Sequence, residues 1–279
     1  GRITEVLGLD TVKRLPGGTY VHTESMVAEA AKARQEYDRV LARSRKLDIV
    51  RGKTALANAP AVGKRLDDAR GFTVRAAYDE AHLYLMYEVT SPAPLVNAAT
   101  DYRLLFKGGN CLDIQLAADP AADPHRKTPA PGDVRLLVTR QPHVGESLRD
   151  SRPEDFRPLA VVYRPKIKNF QGEPFVFKSP TGSESFDAIG TTDRVSVDYK
   201  PTPAGFAAVV TVPLDLIGLK LSPGLRLAFD AGYLFGNEKG TQTAARAYWC
   251  NNGFAANVTY DVPNESRLEP AEWGEAVVE

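Results

Sequence analysis

Along most of this chain, apolar and polar residues alternate in short runs. In 194–199, Val195, Val197 and Tyr199 interleave with Arg194, Ser196 and Asp198, the period-two pattern of a strand with one wet face and one buried face. Further β-rich runs fall at 72–78, 82–90, 111–117, 134–140, 159–164, 206–212, 225–235 and 243–250. The first two flank Asp79-Glu80-Ala81, which reads as a hairpin turn. Residues 118–132 and 141–158 are rich in proline and charge and read as loops. About ten short strands broken by Gly, Pro and Asp turns predict an all-β fold, an antiparallel sandwich of jelly-roll or immunoglobulin-like type.

The N-terminal part has a different period. From Thr23 to about Lys46, Met26, Val27, Ala30, Ala33, Tyr37, Val40, Leu41 and Leu47 recur at three and four residues, with charged residues between them. That predicts one amphipathic helix, capped by Thr23 with Glu24 in its first turn. Its apolar stripe needs a partner, and the sandwich is the nearest one. Residues 1–22 carry a Pro-Gly-Gly turn at 16–18 and no period of their own, as in a connector from a preceding domain. The expected organisation is therefore a connector over 1–22, a packing helix over 23–48 and a sandwich over 49–279.

Composition removes several function classes. Of 279 residues, 43% are hydrophobic, enough for a core that needs no staples. Thirty-five basic residues balance thirty-five acidic ones, so neither nucleic acid nor an anionic membrane is an expected partner. No apolar run is long enough to span a bilayer, and the first residues lack the sections of a signal peptide. Cys111 and Cys250 stand far apart and in no motif, and pair only if their strands meet. His22, His82, His125 and His143 are isolated in sequence. There is no nucleophile elbow, no phosphate-cradling glycine loop and no His-Glu-x-x-His pair, and no two carboxylates are singled out as a glycosidase pair. The expectation is a non-catalytic domain.

One ordered set of segments carries a resemblance. Gly205-Phe206-Ala207-Ala208-Val209-Val210-Thr211-Val212-Pro213-Leu214 is followed by Leu216-Ile217-Gly218-Leu219. Pro223-Gly224-Leu225-Arg226-Leu227-Ala228-Phe229-Asp230 and Arg246-Ala247-Tyr248-Trp249-Cys250-Asn251 come next. Upstream lie Tyr78-Asp79-Glu80-Ala81-His82-Leu83-Tyr84-Leu85 and Cys111-Leu112-Asp113-Ile114-Gln115-Leu116. Taken in order over about 72–279, these resemble the family-nine carbohydrate-binding modules and the wider DOMON-like sandwiches. In such modules two tryptophans sandwich a terminal sugar, whereas here Trp273 does not fall at the usual second position.

The resemblance implies an accessory, carbohydrate-binding domain of a larger exported protein, extracellular or periplasmic. Its expected partners are a polysaccharide or oligosaccharide and a neighbouring domain. A sugar ring presents an apolar face and a rim of hydroxyls, so its site needs an aromatic plane flanked by planar hydrogen-bonding groups. Trp249 is the expected stacking face, with Arg246, Tyr248, Asn251, Asn252 and Asp113 around the rim. In a regular strand, however, Arg246, Tyr248 and Cys250 share one side and Trp249 takes the other. Some members of the family bind calcium, and Asp230, Asn237 and Glu238 would be its oxygen donors here. DOMON-like domains also hold haem, for which His82 and Met86 share a strand. The remaining alternative is a structural sandwich that packs on a neighbouring domain or subunit and binds no sugar.

Overall fold

A computed structural model describes residues 28–33, 45–141, 156–237 and 239–279. The chain separates into a unit of residues 1–45 and a unit of residues 46–279. In the first, residues 28–33 are helical. The rest of the expected helix up to residue 44, the connector and the contact expected between helix and sandwich lie outside the described residues.

The second unit is built almost wholly of strands: β1 (Lys46–Arg51), β2 (Val62–Arg65), β3 (Gly71–Tyr78), β4 (His82–Thr90), β5 (Cys111–Ala117), β6 (Asp133–Gln141), β7 (Arg157–Arg164), β8 (Phe175–Ser179), β9 (Gly182–Phe186), β10 (Ala188–Thr192), β11 (Ser196–Thr202), β12 (Gly205–Pro213), β13 (Arg226–Gly236), β14 (Thr243–Tyr248) and β15 (Gly274–Val278). All but β8 and β9 belong to one hydrogen-bonded sheet that curls into two layers. One layer runs β10-β7-β6-β5-β13-β14 and the other β15-β1-β3-β4-β12-β11, with β2 beside β3. The long strand β13 joins them, because its first half pairs β15 and its second half pairs β14. Most pairs are antiparallel, while β1 runs parallel to both β15 and β3. The mainly antiparallel all-β sandwich expected from the alternation is what the chain forms.

The core lies between the layers. Val74, Leu85, Tyr87 and Val210 from one face Ile114, Leu136, Val162, Phe229 and Tyr233 from the other, all buried. Each such side chain stabilises the fold by about 1.5–3 kcal/mol through loss of exposed apolar area. A second cluster lies on the outside of the β5-β6-β13 layer, where Leu105, Phe106, Phe177, Phe186, Leu268 and Trp273 cover Cys111, Leu137 and Tyr163. That layer is therefore buried on both faces. It follows that β5 is buried along its whole length instead of alternating between wet and dry.

Several boundaries differ from those expected. Lys46 to Asp48, assigned to the helix, open β1, with Leu47 and Ile49 buried and Asp48 and Val50 only partly so. Strand β14 ends at Tyr248 instead of Cys250, so Cys250 leaves the alternation and joins Trp249 in the inter-layer core. Cys111 points to the outer cluster, so the two thiols lie on different sides of a layer and no disulfide joins them.

Candidate functional site

Strand register lines up the residues singled out in the sequence. Asp113 on β5 lies opposite Gly232 on β13, and Gly232 lies opposite Tyr248 on β14. All three are therefore on one face of the layer. A Cβ on Gly232 would stand 2.5 Å from Cδ1 of Tyr248, so the absent side chain is what lets the tyrosine ring cross β13. The Tyr248 hydroxyl then donates to Asp113 Oδ2 at 2.6 Å. Arg135, whose partner in register is Gln115, donates to the same carboxylate from Nε at 3.1 and 3.2 Å and from Nη2 at 2.7 Å. Arg246 Nη2 donates to the Tyr248 hydroxyl at 2.7 Å.

These charges are completely enclosed: Asp113 and Arg135 are 0% exposed. Burial works against the Arg135 charge, but the Asp113 carboxylate offsets it, and the guanidinium pKa lies above its ordinary value. Burial also raises the Tyr248 hydroxyl, and Asp113 adds to that against the pull of Arg246. Tyr248 therefore remains a neutral donor.

The two arginines also donate to the segment that follows β14. Arg135 Nη1 donates to the carbonyls of Glu265 and Ser266 at 2.9 and 3.0 Å. Arg246 donates to Glu265 O at 2.9 Å, Ala255 O at 3.2 Å and Val258 O at 3.3 Å. Asp230, also buried, accepts from the amides of Ala231, Cys250 and Asn251 and so fixes where the chain leaves β14. Together these groups secure residues 251–266 on the outside of the layer. Trp273 locks the end of the cover by donating from Nε1 to Gln115 Oε1 at 3.0 Å.

This placement encloses most of the expected rim. Arg246, Tyr248 and Asp113 are not open to a ligand, because their partners are one another and the backbone of the covering segment. Trp249 faces the inter-layer core and is 7% exposed, so neither face of its indole lies open for stacking. Asn251 is buried as well. Only Asn252 is at the surface, where its Oδ1 accepts from Lys64 Nζ at 3.1 Å and its Nδ2 donates to Cys250 O.

The covering segment carries the aromatic surface that sequence reading missed. Phe254 is 60% exposed and Tyr260 79%. Between them, Ala255–Asn257 form a helical turn, and the exposed Asn257 donates to the carbonyls of Asn252 and Gly253. Arg246 holds the carbonyls of the first residue of that turn, Ala255, and of the residue that follows it, Val258. Aromatic planes and side-chain amides are thus gathered on one anchored loop, with Lys64 of β2 bonded to its start. In sequence, the only signal was two aromatics in an Asn- and Ala-rich stretch without alternation.

Among the described residues, the donors expected for calcium and for haem do not converge. Asp230 and Asn237 are seven residues apart along an extended chain, about 23 Å, and the Asp230 oxygens are engaged by backbone amides. Asn237 bonds to Thr241, and Glu238 lies outside the described residues. Among the described residues, no three His, Cys, Asp or Glu side chains converge. His82 and Met86 lie on one face of β4 about 13 Å apart, with Tyr84 between them. Met86 packs against the cluster of Leu56, Ala77 and Tyr84, so the pair does not flank one iron. Among the described residues, no helix is long and apolar enough to cross a membrane.

No family model matches the chain, and no curated protein matches it. Among solved structures, it is similar to a carbohydrate-binding module of family 9 from Caldicellulosiruptor kristjanssonii in complex with glucose, at 14% identity and a TM-score of 0.49, over 84% of this chain and 95% of that one. The module from that organism in complex with cellotriose gives 14% identity and a TM-score of 0.48, over 84% and 93% of the two chains. No residue of this chain takes a role from these likenesses.

Proposed function

We propose that this chain is a non-catalytic carbohydrate-binding domain, an accessory to a larger extracellular or periplasmic protein. We further propose that it meets sugar through the loop from Asn252 to Tyr260. The observation that carries this reading is the exposure of Phe254 and Tyr260 on a loop anchored from beneath by Arg246. A half-free aromatic plane on a fixed backbone offers stacking at low entropic cost, and Asn252, Asn257 and Lys64 supply hydrogen bonds around it. The order of segments that resembles the family-nine modules supports the same reading. In this account Arg246, Tyr248 and Asp113 are positioning residues, and Trp249 is core.

Stacking and hydrogen bonds in an open site each contribute on the order of 1 kcal/mol, so micromolar or weaker binding is expected. Calorimetric titration with glucose, xylose, mannose and their oligomers tests it. Saturable binding that is lost in Phe254→Ala and Tyr260→Ala, both still folded, supports the reading.

The burial of Trp249 favours a second reading, in which the sandwich is an interaction domain and the same aromatics dock on a neighbouring protein domain. Failure of every sugar, together with concentration-dependent self-association abolished by those two substitutions, would favour it.

A further inference from the structure

Among the described residues, the outer face of the β2-β3-β4-β12 layer is only half covered. The helical turn Lys53–Asn58 packs near Ala77 and Tyr84. Toward the other end of the same strands lies a trough of about 570 Å³. Its floor follows from register. Gly63, Thr73, Glu88 and Ala207 stand directly opposite one another across four adjacent strands, and Arg65, Gly71, Thr90 and Gly205 form the next row. Three glycines and an alanine among these eight positions leave the backbone low, with Thr73 and Thr90 supplying hydroxyls. A row across four strands spans about 14 Å at the usual interstrand spacing.

The trough lining balances Lys64, Arg65 and Arg70 against Asp67, Asp68 and Glu88. Arg65 pairs with Asp68 at 2.6 Å, Arg70 with Asp67 at 2.6 Å and Arg75 with Glu88 at 2.5 Å. Each pair presents donors and acceptors side by side with no surplus charge. The wall formed by residues 66–70 is held by backbone bonds from Leu66 and Asp67 to Arg70 O. At Asp68, Thr90 and Thr202 the trough opens into a second hollow of about 840 Å³. Lys64, in the trough lining, reaches Asn252 and thereby joins the trough to the Phe254–Tyr260 loop. The strands under the floor are already hydrogen-bonded on both sides at Thr73 and Glu88, so an extended peptide finds no free ladder there. A neutral, hydroxyl-rich chain matches what the floor and walls offer.

We propose that this trough reads the length of the ligand: a neutral oligosaccharide seated on Phe254 and Tyr260 continues past Lys64 and across Thr73, Glu88 and Thr90. The proposal rests on the carbohydrate reading above, and its test separates the two. Calorimetric titration would use glucose and the cello-oligosaccharides through cellohexaose, with the matching xylose and mannose series. Affinity is expected to rise about tenfold or more from monosaccharide to the longest oligomer of the series that binds. Thr73→Trp, which fills the trough with a residue suited to a strand, is expected to abolish that gain, and Ala207→Phe on the opposite side provides an independent block. Equal affinity at all lengths, or a length dependence that survives either block in a folded variant, overturns the trough and leaves the carbohydrate reading standing. Absence of binding at every length in every series overturns both.

Discussion

Replacing Asp113 by leucine removes the carboxylate that pairs Arg135 and receives the Tyr248 hydroxyl. Arg135 is 0% exposed and keeps only the Tyr248 hydroxyl and the carbonyls of Glu265 and Ser266. A buried ion pair broken from one side costs about 3–5 kcal/mol, because the remaining charge is desolvated without compensation. At the usual sensitivity of a domain of this size, about 2–4 °C per kcal/mol, that is a fall in Tm of roughly 10 °C. Replacing both Asp113 and Arg135 by leucine removes the stranded charge and fills much of the space. The double variant should therefore cost clearly less than the sum of the single ones. Urea unfolding followed by far-ultraviolet circular dichroism on the four proteins of the cycle supplies the numbers. An Asp113→Leu cost below about 1 kcal/mol, or simple additivity in the double variant, would refute the view that this pair is a tightly coupled buried unit.

Three further outcomes are expected. Burial pushes the Asp230 carboxyl up from 3.8 to about 7, against the three amides that favour its charged form. Because its folded pKa is raised, the stability it contributes is fully present below its unfolded pKa and is lost as pH rises through about 7. Tm measured from pH 4 to 8 should therefore fall in the parent relative to Asp230→Asn, and parallel curves would contradict the assignment. Gly232→Val places a side chain where the Tyr248 ring lies, so thermal unfolding should register a loss of about 1–3 kcal/mol; an unchanged Tm would mean that Tyr248 does not need to cross β13. Cys111 and Cys250 are both buried, and burial raises the Cys111 thiol. Neither should react with a bulky aromatic disulfide until the protein unfolds, as fast reaction under native conditions would disprove.

Much of the architecture was legible in the sequence because most strands have a strong local signature. The runs at 82–90 and 111–117 coincide with β4 and β5. Strand β1 was hidden because Leu47 continues the three-and-four spacing of the preceding residues, and only long-range pairing with β15 and β3 makes it a strand. The β8-β9 hairpin was missed because, after Phe175, Val176 and Phe177, the sequence turns to Ser, Gly and Glu, and its buried Phe177 and Phe186 belong to a cover assembled from distant segments.

The candidate site shows the same division. Period two put Arg246 and Tyr248 on one face and Trp249 on the other, which is how the strand stands. That the Arg246 face is itself covered depends on Phe106, the β8-β9 hairpin and residues 255–273, brought there from distant parts of the chain. No local pattern encodes that cover: Arg246, Tyr248 and Asp113, expected at a ligand rim, bond to one another or to the segment above them, while Asn252 stays at the surface.

The claim that this anchored loop meets sugar is tested most directly by amide resonances of the labelled protein during titration with glucose and short glucan, xylan and mannan oligomers. Saturable shifts centred on Asn252 to Tyr260, absent in Phe254→Ala, are expected. No shifts with any sugar, or shifts confined to residues away from both this loop and the trough, would contradict the account.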